Sequence, residues 1–231
     1  MKEKNPPFHL DSNIKTIVFD VYGTLFDVSS VKKACDQLFP LKGEEISHTW
    51  RKKQIEYMFL LQLIDRYESF DSVTRRALRH AVHASGEVLS TDQEDTLFAA
   101  YMKLEAFPES LEVLKMLQRK GYHIGVFSNG TNTMLGGLLQ GTAFLDQLDF
   151  ILSVDSKKQY KPTKAAYQIV ETDTKTNPED TLFVSSNGWD IVGANNYGFQ
   201  TVWVNRAGQT KDELSLPPNY IMDDLSSLAG N

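Results

Sequence analysis

The sequence predicts a doubly wound α/β core, built on a parallel sheet, with a helical cap domain inserted after the first strand. Three observations predict it. A short apolar run, IKTIVF at residues 14–19, stops at Asp20 and is followed at once by the glycine turn YGT. Residues 30–105 carry helical periodicity and no convincing strand. From Phe107-Pro108 onward, helix and strand patterns alternate. Such alternation implies a parallel sheet covered by helices on both faces.

Taken in order, the N-terminus MKEKNPPFHL has no long apolar stretch and reads as neither a secretion signal nor an anchor. Residues 14–19 form a buried strand that delivers Asp20 at its C-terminal tip, the usual way an open α/β sheet builds a site. Between Glu44 and Tyr67, the residues Ile46, Trp50, Ile55, Phe59, Leu63 and Tyr67 recur near helical spacing with charges between them. The Glu44-Glu45 pair suits the positive end of that helix. Residues 71–84 and 90–104 are also helical. Glu109–Lys120 is a helix ended by Gly121. YHIGVFS is a strand that runs into Ser128-Asn129-Gly130, and residues 131–140 are helical. A strand at 150–154, a helix over Lys164–Glu171 and a turn at Pro178-Glu179 follow. The strand TLFVS, 181–185, ends in Ser185-Ser186-Asn187-Gly188. Residues 189–197 are helical up to Gly198, and 201–205 form a further strand. One strand therefore precedes the helical block and four follow it. The division is a core of residues 1–27 and 107–231 and a cap of residues 28–106.

Composition limits the function classes. The chain has 231 residues, enough for one core domain with a smaller insert. Hydrophobic residues make up 41% and charged residues 23%, as in ordinary globular proteins. The net charge of −6 lies on a mixed-sign sequence and gives no reason to expect nucleic acid or an anionic membrane as partner. No run approaches the roughly 20 apolar residues of a membrane span. The single cysteine, Cys35, excludes an intramolecular disulfide, suits a reducing cytoplasm, and reads as a packed small residue. Histidines at 9, 48, 80, 83 and 123 are scattered. His80 and His83 lie one helical turn apart, but no Cys, Asp or Glu stands beside them in a metal-binding spacing. No metal or other cofactor is expected.

The strand tips carry the chemistry. Right-handed crossovers place all of them along one edge of a parallel sheet. That edge collects Asp20 and Thr24, then Ser128 and Asn129, Lys161 from the YKP loop, and Ser185, Asn187 and Asp190. A carboxylate that stays ionised and oriented is a nucleophile, and a neighbouring lysine favours that state. A second carboxylate, Asp190, is free to act as a base toward water. Backbone amides near Val21-Tyr22 and Ser128-Asn129 suit a bound anion. The set reads as nucleophilic displacement followed by hydrolysis.

DVYGTLFDVSS at 20–30, VFSNGT at 126–131, YKP at 160–162 and FVSSNGWD at 183–190 resemble the four motifs of the haloacid dehalogenase superfamily. More narrowly they resemble the type II L-2-haloacid dehalogenases, and WRKKQIEY at 50–57 is similar to the arginine-bearing cap helix of that subfamily. The resemblance covers nearly the whole chain and implies a Rossmann-like core of the superfamily's type. It implies that Asp20 attacks C2 of a short halogenated carboxylic acid to form an ester, with inversion. Arg51, helped by Asn129, would take the leaving halide. Ser128 and the amides of 21, 22 and 129 would hold the substrate carboxylate. Thr24, Ser185, Asn187 and Asp190 would place and activate water, and Lys161 would orient Asp20. Tyr22, Ile55, Phe70 and Trp189 would form an apolar wall. Tyr167 matches a tyrosine needed in that subfamily and belongs with the substrate-binding positions; on its residue type alone it reads equally as core packing, as does Phe70. Trp50 and Trp203 read as packing, and Asp27 and Asp155 as capping or supporting residues. The resemblance also implies a homodimer.

The departures refine the reaction. Phosphatases of the superfamily resemble D-x-D, whose second Asp protonates the leaving group. Here Tyr22 stands in that place, and Ser186 and Asn187 replace acidic positions of the fourth motif. A phosphoryl group needs metal neutralisation, whereas a leaving halide needs neither metal nor proton. Lys52, where related enzymes often carry glutamine, adds a cation at the pocket mouth and bears on specificity. Three other readings stay open: metal-free hydrolysis of another carboxylate-bearing substrate such as a strained ring, a magnesium-dependent phosphatase, and a non-catalytic binding protein.

Overall fold

The structure is a computed structural model that describes residues 10–229. The N-terminal segment discussed above, with His9, lies outside the described residues. Strand β1, Thr16–Phe19, is fully buried. A two-residue strand β2, Phe26–Asp27, leads into four helices: α1 (Lys32–Leu38), α2 (Gly43–Leu63), α3 (Phe70–Ala84) and α4 (Thr91–Tyr101). Strand β3, Glu105–Ala106, returns the chain to the core. Then come α5 (Ser110–Arg119), β4 (His123–Ser128), α6 (Asn132–Leu139), β5 (Phe150–Ser153), α7 (Lys164–Thr174), β6 (Thr181–Ser185), α8 (Gly188–Tyr197), β7 (Gln200–Val204), β8 (Tyr220–Met222) and α9 (Ser226–Ala229).

The main sheet is parallel throughout, in the order β5-β4-β1-β6-β7-β8. Strand order reverses at β1, and ligands of such sheets bind at that switch, beyond the carboxyl ends of the strands. Register completes the placement. Phe19 pairs with Val126 on one side and Val184 on the other, so the residues that follow emerge side by side from the sheet edge. The doubly wound α/β core with inserted helices is thus the observed architecture.

Two strand expectations need correction. The sheet has six strands rather than five, because β8 adds a parallel edge strand. It has three residues and follows the exposed loop 208–215 and Pro217-Pro218, so no alternation marks it. The block between β1 and α5 is bounded by a two-residue ribbon that also escapes periodicity: β2 and β3 pair antiparallel, Phe26 with Ala106 and Asp27 with Glu105. Helix α2 stops at Leu63 and does not reach Tyr67, because the chain turns through Asp65 at φ 54°. Tyr67 instead donates to Asp155 Oδ1 at 2.7 Å, a supporting role for that aspartate.

Local chemistry accounts for the element ends that matter. Glu44 and Glu45 sit in the first turn of α2, where the dipole favours them. Ser90 and Gln93 form a reciprocal capping box at the start of α4. Asp27 caps the 3-10 turn over Val28–Val31. Gly23 has φ 92°, and a Cβ there would lie 3.0 Å from Ser186 Oγ; only glycine suits that turn. Trp50 and Trp203 are buried packing residues with their indole N–H groups satisfied by Thr74 O and Ser186 O. Cys35 is fully buried, and burial pushes its thiol up to about 12. Among the described residues no helix is long and apolar enough to cross a membrane.

Candidate active site

Asp20 follows β1 at the switch point and is 4% exposed. One carboxylate oxygen, Oδ1, accepts from Lys161 Nζ at 2.8 Å. The other accepts from Thr24 Oγ1 at 3.0 Å and from Asn187 Nδ2 at 2.9 Å. Both oxygens are therefore aimed, which a nucleophilic carboxylate requires.

Lys161 is fully buried and spends all three ammonium hydrogens. It donates to Asp20, to Asp190 Oδ2 at 2.7 Å and to Phe127 O at 3.2 Å. Burial works against the charged ammonium, but the two carboxylates outweigh it and lift its proton affinity above that of an ordinary lysine. Its backbone N–H is held by Asn129 Oδ1 at 2.9 Å. Asp190, in the first turn of α8, also accepts from Ser185 Oγ at 3.1 Å and Tyr167 Oη at 2.7 Å. Burial raises its carboxyl from 3.8 to about 6, opposed by Lys161 and reinforced by Asp20.

Above the sheet edge, Arg51 reaches from α2. Its Nη2 donates to Asn187 Oδ1 at 3.1 Å and its Nη1 to Gln54 Oε1 at 2.8 Å. Asn187 thus bonds with one end of its amide to Asp20 and with the other to the helical insertion. Asp20, Tyr22, Arg51, Ile55, Phe70, Ser128, Asn129, Asn187 and Trp189 line one small inner cavity of about 10 Å³, room for about one water-sized sphere. The aromatic side is rigid: Tyr22 packs against Phe70 at 6.1 Å, and Trp189 meets Phe59 edge-on at 5.4 Å. No backbone hydrogen bond among the described residues engages the amides of Val21, Tyr22 or Asn129.

A family profile for haloacid dehalogenase-like hydrolases matches residues 14–198, from β1 to the end of α8. The chain belongs to this family. The (S)-2-haloacid dehalogenase of Pseudomonas sp. (strain YL) is 39% identical over 215 residues, 93% of either chain. Haloacetate dehalogenase H-2 of Moraxella sp. (strain B) is 35% identical over 93% of this chain and 96% of its own length. Among solved structures, the L-2-haloacid dehalogenase of Xanthobacter autotrophicus with chloropropionic acid covalently bound superimposes with a TM-score of 0.89. It is 33% identical, over 94% of this chain and 97% of that one.

Within this haloacid dehalogenase-like fold, all but two of the expected residues, Val21 and Tyr167, fall into two groups. Nine of them face the inner cavity, as named above. Thr24, Lys161, Ser185 and Asp190 are fully buried; Thr24 and Lys161 donate to Asp20, and Ser185 and Lys161 donate to Asp190. Two of the expected residues make further contacts. Tyr167 is not among the residues that line the inner cavity; it is fully buried, edge-on to Phe127 and Phe183, and its hydroxyl donates to Asp190. Asn129, expected to share the leaving group with Arg51, lines the inner cavity with it. Its Nδ2 donates to Met58 Sδ at 2.9 Å and its Oδ1 holds the Lys161 backbone.

Gln54 is the residue the sequence reading missed. It is fully buried, and its Oε1 accepts from Arg51 and from Tyr101 Oη at 3.0 Å. Its Nε2 donates to Thr74 Oγ1 at 2.7 Å. The available signal was its position three residues after Arg51, on the same helix face. A larger outer cleft of about 630 Å³ shares Arg51, Ile55, Asn187 and Trp189 with the inner cavity, and Lys52, exposed, stands at its edge.

Proposed function

We propose that the protein hydrolyses the carbon–halogen bond of short L-2-haloacids, releasing halide and D-2-hydroxyacids, with Asp20 as the nucleophile. The observation that carries this reading is the Asp20 carboxylate, facing a small cavity with each oxygen held by fixed donors while residue 22 is a tyrosine. The (S)-2-haloacid dehalogenases to which the chain is similar, and the chloropropionic acid covalently bound in a similar structure, favour the same reaction.

In the first step Asp20 attacks C2 from the face opposite the halide. The C–halogen bond breaks with its electron pair, C2 inverts, and an ester forms. Arg51 meets the developing halide charge, and neither a proton nor a metal is needed for that leaving group. Among the described residues no group of three His, Cys, Asp or Glu could hold a metal ion, and the Lys161 ammonium already lies between the two buried carboxylates. The amides of Val21, Tyr22 and Asn129 with Ser128 hold the substrate carboxylate. In the second step Asp190 takes a proton from water as that water attacks the Asp20 carbonyl carbon. Donors already aimed at Asp20 stabilise the oxyanion. Breaking the bond between that carbon and the ester oxygen frees the hydroxyacid, whose oxygen takes the remaining water hydrogen; this restores the Asp20 carboxylate, and Asp190 then returns its proton to solvent.

We read residues 28–106 as a cap over a core of 1–27 and 107–231, since α2 supplies Arg51 to a site otherwise built on strand tips. The inner cavity shares Arg51, Ile55, Asn187 and Trp189 with the outer cleft, and we infer that substrate enters from that cleft. We infer a cytoplasmic homodimer, supported by the lone buried thiol and by exposed Leu60, Leu63 and Ile64 near the end of α2. Halide release from the two enantiomers of 2-chloropropionate, with and without EDTA, tests the reaction. Release from the L enantiomer alone, yielding D-lactate and indifferent to EDTA, is expected. Absence of release from either enantiomer by folded protein would overturn the reading.

A further inference from the structure

Tyr22 carries a hydroxyl that nothing among the described residues satisfies. The side chain is 3% exposed, and its Oη has no hydrogen-bond partner among the described residues. Buried tyrosines normally find one, and others here do: Tyr101 donates to Gln54, Tyr160 to Glu68 O and Tyr167 to Asp190. The Tyr22 ring is not free to search, because it stacks on Tyr101 at 5.5 Å and 22°.

The hydroxyl has a direction. A Cβ placed on Gly130 would lie 3.2 Å from Tyr22 Oη and 3.4 Å from Ser128 Oγ. Both hydroxyls therefore lie beside Gly130, and both residues line the inner cavity. Ser128 Oγ accepts the Gly130 N–H at 3.0 Å, which leaves its own proton to give. Burial, with Tyr101 beside it, pushes the phenol well above its ordinary range despite Arg51, so at neutral pH it remains a donor. Two donor hydroxyls on residues that line one small cavity, beside the Arg51 cation, suit an anionic acceptor with several lone-pair sites, such as a carboxylate.

We propose that Tyr22 is a substrate-binding residue whose phenol, paired with Ser128 Oγ, donates a hydrogen bond to the carboxylate of the substrate. The identity of that substrate as a haloacid rests on the function proposed above; the carboxylate contact does not. Tyr22 is then more than an apolar wall. It selects carboxylates against neutral halides, because a ligand without the acceptor leaves a buried donor unpaired.

The test is Tyr22→Phe, which keeps the ring and its stacking. KM for L-2-chloropropionate should rise on the order of 10-fold or more. kcat should change far less, since the carboxylate charge is the same in ground and transition states. The factor should be equal for L-2-bromopropionate, because the leaving group is untouched. The melting temperature should not fall, as the substitution removes an unsatisfied buried group. An unchanged KM, or a kcat loss that differs between chloride and bromide, would overturn the proposal. Propionate binding by calorimetry separates this proposal from the haloacid reading. Weaker propionate binding to Tyr22→Phe, in a protein that releases no halide, would sink the dehalogenase reading and leave Tyr22 as a carboxylate ligand. Equal binding to both proteins, or none to the wild type, would sink the Tyr22 proposal.

Discussion

Lys161 lies within 2.8 Å of Asp20 and 2.7 Å of Asp190, with no side-chain exposure. Removing one member of such a buried set leaves uncompensated charge and costs about 3–5 kcal/mol. Lys161→Met should therefore lose turnover and melt at lower temperature. Two carboxylates facing each other without the ammonium cannot both stay ionised, so the variant should regain stability as pH falls from 8 to 5. Differential scanning calorimetry across that range checks this; a pH-independent melting temperature would contradict it. Asp190 supplies a second prediction. Its carboxyl is raised from 3.8 to about 6, chiefly by burial. A raised carboxyl binds its proton more tightly when folded, so its stabilising contribution is complete below about pH 4 and is lost as pH rises through about 6. Activity runs the other way, because the base must be ionised. The pH profile of kcat should fall on the acid side with an apparent midpoint near 6. At this scale the sequence made residue types and motif spacing legible, which is how Asp20, Lys161 and Asp190 were found. It did not reveal side-chain direction. The hydrogen bonds of Asn129 to Met58 and of Tyr167 to Asp190 depend on neighbours distant in sequence.

At the scale of elements, α2 joins the helical insertion to the chemistry. Arg51, Gln54, Ile55 and Met58 are spaced i, i+3, i+4 and i+7, one face of the helix, and that face looks onto the sheet edge. Gln54 ties this face to α3 through Thr74 and to α4 through Tyr101. Gln54→Leu keeps the volume but strands the Tyr101 hydroxyl and an Arg51 N–H, at about 1–3 kcal/mol. A misplaced Arg51 should lower halide release on the order of 10²-fold. Steady-state kinetics beside thermal melts would show both losses; full activity in a folded variant would contradict the role. Hydrophobic periodicity located α2, α3 and α4 of the insertion and five of the six main strands, because long buried elements repeat their apolar pattern; the seven-residue α1 is too short to show one. Strands of two or three residues, β2, β3 and β8, are too short to carry one, and a buried mid-helix glutamine looks like a solvent-facing residue until its partners are seen.

For the whole molecule, the fold divides labour between a sheet edge that fixes Asp20 and a helical insertion that closes the cavity above it. Exposed Leu63 at 78% and Ile64 at 59% on that insertion suit a homodimer. Sedimentation should give about twice 26.2 kDa, and Leu63→Glu with Ile64→Glu should give the monomer; a monomeric wild type would contradict the pairing. The order of strands and insert was legible from the alternation of patterns, whereas closure of the site through Arg51 and Asn187 was not, since it joins residues 136 positions apart. The central claim is that the oxygen delivered to C2 comes from Asp20. A single turnover with enzyme in excess, in water labelled with oxygen-18, tests it most directly. The first hydroxyacid should carry unlabelled oxygen at C2, and the label should appear in the Asp20 carboxylate. Label in the hydroxyl group of that first product would contradict the ester intermediate and the account built on it.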